Sequence, residues 1–93
     1  MTGVPYLAGL RLAGRRVVVV GGGVVAQRRL PALLAAGADV VLVSPEVTPA
    51  VEGMAGAGEL AWERRRYAAG DLAGAWYAMA LTDDPEVNAA VVA

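Results

Sequence analysis

Residues 16–30 read RVVVVGGGVVAQRRL, a run of four valines that meets three glycines and then turns amphipathic. An unbroken valine run suits a strand buried on both faces, as in a parallel sheet. The residues after it place Ala26, Leu30, Leu33 and Leu34 at helical spacing, with Gly37 as the stop. A buried strand that ends on Gly21-Gly22-Gly23 and opens a helix with Ala26 fits G-x-G-x-x-A. The first glycine permits a tight turn, Gly23 lets a phosphate approach the backbone, and a small residue at 26 lets helix and strand pack closely. The unpaired N–H groups and positive dipole end of the helix then favour an anion. The pattern alone is weak in a chain with 12 glycines. Its position between a strand and a helix makes it specific, and it predicts nucleotide binding at this turn.

The rest of the chain repeats the alternation. Strands are expected at Arg16–Val20, Asp39–Ser44, Leu60–Arg65 and Trp76–Leu81, the third nearer an edge because it alternates in polarity. Helices are expected at Val24–Ala36 and from Thr48, which caps, and Pro49 onward. A last helix is expected to start at Asp84-Pro85. Pro31 removes one bond of the first helix and is expected to kink it. This order argues for an α/β, Rossmann-like doubly wound parallel sheet with strand order 3-2-1-4. The 93 residues make a single small domain. The last residues still read as helix, so the chain is expected to be the N-terminal portion of a longer protein.

Composition removes several chemistries. The chain has no His, no Cys and no Lys, since all eight of its basic residues are Arg. That excludes a thiol nucleophile, a Ser-His-Asp triad, Cys/His zinc sites and a lysine Schiff base within these residues. The net charge of -1 gives no global field to recruit nucleic acid or an anionic membrane. No apolar run approaches the roughly 20 residues of a membrane span, and no signal-peptide layout opens the chain. A cytoplasmic protein is expected, with no nucleic-acid or membrane partner.

Dinucleotide-binding folds usually carry an acid at the end of the second strand, roughly 20 residues past the glycines, to hold the ribose hydroxyls. Here that position is Ser44, followed by Pro45 and Glu46. Ser44 can hydrogen-bond a ribose, and Glu46 either reaches it or is a solvated charge. No Arg sits beside this spot to welcome a 2′-phosphate, so NAD is expected over NADP. At the end of the fourth strand, Thr82 and Asp83 are expected to line the nicotinamide side, because ligands bind at the carboxyl ends of the strands. Asp84 reads as a helix cap. Asn88 is either a polar helix residue or a cofactor contact. Arg64, Arg65 and Arg66 either meet substrate carboxylates or form a solvated strand end. Arg28 and Arg29 read as surface charge.

The pieces Pro5-Tyr6-Leu7, Gly21–Arg29, Ser44-Pro45 and "ALTDDPEVN" from Ala80 to Asn88 resemble, in content and separation, the N-terminal domain of siroheme synthase and its stand-alone relative, precorrin-2 dehydrogenase/sirohydrochlorin ferrochelatase. The resemblance covers essentially the whole chain. It implies NAD-dependent oxidation of precorrin-2 to sirohydrochlorin, insertion of Fe²⁺ in some members, and a homodimer at full length. It further implies cofactor contacts at Val24, Val25, Pro45 and Glu46. It places the family's acid/base aspartate in an Asn-x-x-Asp segment not found among these residues, so the 93-residue chain is expected to be inactive alone. The rival expectation is a nucleotide-sensing regulatory module of the potassium-uptake type, which usually carries an acid where this chain has Ser44. A second rival, the cofactor half of an unrelated dehydrogenase, does not account for the TDDPEVN segment.

Overall fold

The computed structural model describes residues 12–68 and 70–82. Four strands form one parallel sheet: β1 (Arg16–Val20), β2 (Asp39–Val43), β3 (Ala61–Glu63) and β4 (Tyr77–Ala80). Their order across the sheet is β3-β2-β1-β4, as the alternation of the sequence predicts. Helix α1 (Val24–Ala35) joins β1 to β2, and α2 (Pro49–Gly56) joins β2 to β3. No helix here is long and apolar enough to cross a membrane among the described residues.

Successive residues of a strand point to opposite faces, and β1 uses both. Val17 and Val19 face the two helices, where they join Val40, Leu42, Ala26, Leu30, Leu33 and Val51 in the main core. Val18 and Val20 face the other way and pack with Val43, Tyr67, Leu72 and Ala75. Burial of each such side chain stabilises the fold by about 1.5–3 kcal/mol before entropy is counted. The second face is therefore covered by the segment that carries the chain from β3 across the sheet to β4. That segment is built of turns, with no helix among its described residues.

The boundaries move by one or two residues from those expected, each for a visible reason. Helix α1 ends at Ala35 because Ala36 already acts as its cap, and Gly37 follows at φ +82, a conformation that L side chains rarely adopt. Pro31 lies within α1, exposed, and the helix continues through it. Thr48 caps α2 as expected, its Oγ1 accepting from the Val51 N–H at 3.2 Å. Strand β3 is shorter than Leu60–Arg65, because at Arg65 the backbone N–H turns back to the Glu63 carbonyl at 2.9 Å. Strand β4 is shorter than Trp76–Leu81, although both flanking residues still bond β1: Trp76 N–H to the Arg16 carbonyl and Leu81 N–H to the Val20 carbonyl, each at 2.8 Å. The helix expected from Asp84 lies outside the described residues.

The crossing segment is pinned by one ion pair. Arg65 grips Asp71 through two bonds, Nη1 to Oδ2 at 2.8 Å and Nη2 to Oδ1 at 2.6 Å, and Asp71 Oδ2 also accepts the Ala68 N–H at 2.6 Å. Hydrogen bonding from Arg65, supported by the Ala68 N–H, holds the Asp71 carboxyl below the usual carboxylate range against an opposing effect of burial. A depressed carboxyl contributes stability above its unfolded value, near pH 4, and loses it as pH falls through the folded value. Asp71→Asn is therefore expected to be less stable than the parent at pH 7, with the gap closing as pH falls below about 4. Urea midpoints of both proteins across that range check this; a gap that persists at acid pH contradicts it.

Candidate functional site

The sheet's carboxyl edge opens into a cleft of about 510 Å³. Its lining includes the glycine turn with Val24 and Val25, the segment Ser44–Glu46, and Thr82. Nine of the ten site residues expected from the sequence therefore meet in one cavity: Gly21, Gly22, Gly23, Val24, Val25, Ser44, Pro45, Glu46 and Thr82. The tenth, Asp83, lies outside the described residues, as do Asp84 and Asn88.

The three glycines have different tasks. Gly21 has φ +114, and a Cβ there would stand 2.7 Å from the Leu81 carbonyl oxygen. It is required by both conformation and space. Gly22 is required by space: its Cβ would collide with Val47 Cγ1 and stand 2.9 Å from the Glu46 carbonyl oxygen. Gly23 is different, because a Cβ there meets nothing within 4 Å among the described residues and its φ is an ordinary -85. Packing among the described residues does not need a glycine at 23. Gly23 is the N-cap of α1, no side chain caps it, and no acid stands in the first turn. The first-turn N–H groups of a helix lack an intrahelical partner, and the space beside Gly23 is open among the described residues. This is the arrangement a pyrophosphate requires, with room at the backbone and an unneutralised helix end.

The wall opposite the glycines is held by hydrogen bonds. The Gly21 N–H donates to the Val43 carbonyl at 3.0 Å, and the Thr48 N–H donates to the Gly22 carbonyl at 3.0 Å. Trp62 Nε1 donates to the Ser44 carbonyl at 2.9 Å, fastening the loop from the edge strand. Ser44 is buried, and its hydroxyl donates to the Glu46 carbonyl. Its proton thus shapes the turn, and it can offer a ribose only a lone pair. Glu46 is exposed at the mouth of the cleft, and its carboxylate has no cation partner among the described residues. Val24 and Val25 are also open to solvent, 57% and 45% exposed, and form an apolar lip.

Five further lining residues are absent from the expected set: Val20, Val43 and Leu81 from the strand ends, and Arg66 and Tyr67 from the segment after β3. No Arg adjoins the end of β2 along the chain, but Arg66 lines the same cleft as Ser44, Pro45 and Glu46. The available signal for Arg66 and Tyr67 was their place just after a strand, since the carboxyl ends of strands face the crevice. The three arginines also separate. Arg64 lies over the Trp62 ring at 5.4 Å, Arg65 holds Asp71, and Arg66 reaches the cleft.

A family model described as NAD(P)-binding matches residues 8–93, nearly the whole chain. The chain belongs to this NAD(P)-binding family. Within it, the chain is similar to the precorrin-2 dehydrogenase of Bacillus subtilis (strain 168), 39% identical over 85% of this chain and 49% of that protein. It is 48% identical to the siroheme synthase of Chromobacterium violaceum over 90% of this chain and 18% of that protein. Among solved structures it is similar to SirC, a precorrin-2 dehydrogenase, with a TM-score of 0.85 and 35% identity over 89% of this chain and 42% of that one. These are the two groups that the GGG turn and the TDDPEVN segment resemble. The chain spans about half the length of the dehydrogenase relative, and less than a fifth of the synthase.

Because Gly22 serves packing, Gly22→Ala is expected to destabilise this NAD(P)-binding domain by about 1–3 kcal/mol, the scale of overpacking a tight site. Chemical denaturation measures it; an unchanged midpoint would show that the Val47 loop is free to move away.

Proposed function

We propose that the chain is the NAD-binding part of a precorrin-2 dehydrogenase, acting in the oxidation of precorrin-2 to sirohydrochlorin for siroheme. The observation that carries this reading is the open space over Gly23 at the first turn of α1, in a chain whose relatives bear the names precorrin-2 dehydrogenase and siroheme synthase. Gly21, Gly22 and Gly23 with the N–H groups of Val24 and Val25 would take the pyrophosphate. Glu46, with Pro45 and the Ser44 lone pair, would take the adenosine ribose. Thr82, and Asp83 after it, would lie toward the nicotinamide. Bound there, NAD⁺ supplies the acceptor for a hydride taken from the tetrapyrrole. The residues of the cleft would orient the dinucleotide, which would cover the solvent-exposed lip formed by Val24 and Val25.

The reading takes Fe²⁺ as a second substrate, because the relatives include siroheme synthases. It also takes a homodimer as the assembled state and a cytoplasmic location. The described residues contain no group of three acids that would hold a metal, so iron handling is assigned to none of them. The 93-residue chain is expected to bind NAD without turning over precorrin-2, because its residues include no His, Cys or Lys to move a proton and no Asn-x-x-Asp segment. A sensing module, the rival reading, gains no support from these relatives.

Gly23→Val is expected to abolish NAD⁺ binding, measured by calorimetry, while circular dichroism stays that of the parent. The clean separation is expected because position 23 has ordinary φ and free space. NAD⁺ affinity equal to the parent's would remove the glycine turn from the site. Incubating the parent chain with NAD⁺ and precorrin-2 completes the test; formation of sirohydrochlorin would place the proton-transfer group among the 93 residues.

A further inference from the structure

The ladder between β2 and β3 places Val43 opposite Glu63, and the Ser44 N–H donates to the Glu63 carbonyl at 3.2 Å. Trp62 Nε1 holds the Ser44 carbonyl from the same side. The chain leaving β3 therefore runs beside the chain leaving β2, and Arg66 arrives at the cleft wall that holds Ser44, Pro45 and Glu46. The neighbouring arginines are occupied elsewhere, Arg64 on Trp62 and Arg65 on Asp71. Arg66 is exposed and has no carboxylate partner among the described residues.

In a dinucleotide site the end of the second strand decides how the adenosine 2′ position is treated. An acid there bonds the free hydroxyl and repels a phosphate, whereas a nearby Arg accommodates the phosphate. This cleft has an uncharged residue, Ser44, where the acid usually stands, with its hydroxyl proton already committed. Among the described residues that line the cleft, the charged ones are Glu46 and Arg66, which form no ion pair with each other. Charges of opposite sign at one wall act oppositely on a 2′-phosphate and leave a 2′-hydroxyl much less affected.

Resting on the reading of this cleft as the dinucleotide site, we propose that Arg66 is its specificity determinant for the 2′ position. Arg66 attracts the phosphate of NADP(H), Glu46 opposes it, and their balance sets the ratio of NADPH to NADH affinity. The discrimination therefore comes from two segments together, Arg66 after β3 and Glu46 after β2, and not from Ser44.

Calorimetric titration of the full chain with NADH and with NADPH tests this, with Arg66→Ala, Arg66→Lys and Glu46→Gln beside the parent. Arg66→Ala is expected to lower the NADPH-to-NADH affinity ratio by about five- to tenfold, the range for a solvent-exposed charge-assisted bond. Arg66→Lys retains most of the ratio because it retains the charge. Glu46→Gln raises the ratio severalfold. The difference between parent and Arg66→Ala shrinks at about 0.5 M salt, where exposed charges are screened. A ratio unmoved by Arg66→Ala, or an Arg66→Lys protein as deficient as Arg66→Ala, would overturn the assignment. A parent that binds neither cofactor would instead remove the dinucleotide reading itself, and this proposal with it.

Discussion

The Val20 carbonyl accepts the Leu81 N–H at 2.8 Å, and the Gly21 N–H donates to the Val43 carbonyl at 3.0 Å. The end of β1 is thus bonded to both neighbouring strands at the point where the chain must turn away into α1. With valines buried on both faces and strands on both sides, β1 has no freedom to shift. The turn that follows is forced to be tight, and only a residue without a side chain accepts φ +114 against the Leu81 carbonyl. The cleft inherits its position from this constraint. The open space over Gly23 lies where it does because β1 ends where it does.

The second wall depends on the first. Val47 lies against Gly22 so closely that a methyl group at 22 would displace it, and the Thr48 N–H bonds the Gly22 carbonyl. The loop from Ser44 to Thr48 is therefore laid on the glycine turn and then clamped from outside by the Trp62 indole. A loop held at both ends in this way presents Pro45 and Glu46 in a fixed position. That is a useful property in a site that must recognise a flexible dinucleotide, because ordering costs already met by the protein do not reduce affinity.

The crossing segment after β3 does two jobs with adjacent residues. Leu72 and Ala75 cover the second face of the sheet, while Tyr67 both packs on Val18, Val20 and Val43 and lines the cleft. The Arg65–Asp71 pair folds the segment back on itself, which frees Arg66 for the cleft wall. Packing and recognition are coupled here, so changes made to stabilise the second face also bear on the site.

Local pattern alone determined the strand–glycine–helix unit, the strand order, the cap at Thr48, the glycine just past the end of α1, and most of the cleft lining. Hydrophobic period, β propensity and turn chemistry act between residues close in sequence, so they are legible there. The family was legible for a related reason: the GGG turn and the TDDPEVN segment each follow a strand that the valine and alanine runs reveal. Tertiary structure decided what depends on partners far along the chain. The Ser44 hydroxyl donates to the Glu46 carbonyl two residues on, a bond that depends on how the loop is laid on the glycine turn. Strand β3 stopped early because the Arg65 N–H turned back to the Glu63 carbonyl, where its side chain also meets Asp71. Arg66 and Tyr67, more than 20 residues from Ser44 in sequence, came to its side because a parallel edge strand returned them there. No periodicity marks such a meeting, since the register between two strands is set by hydrogen bonds across the sheet and not by the spacing of residues along either one.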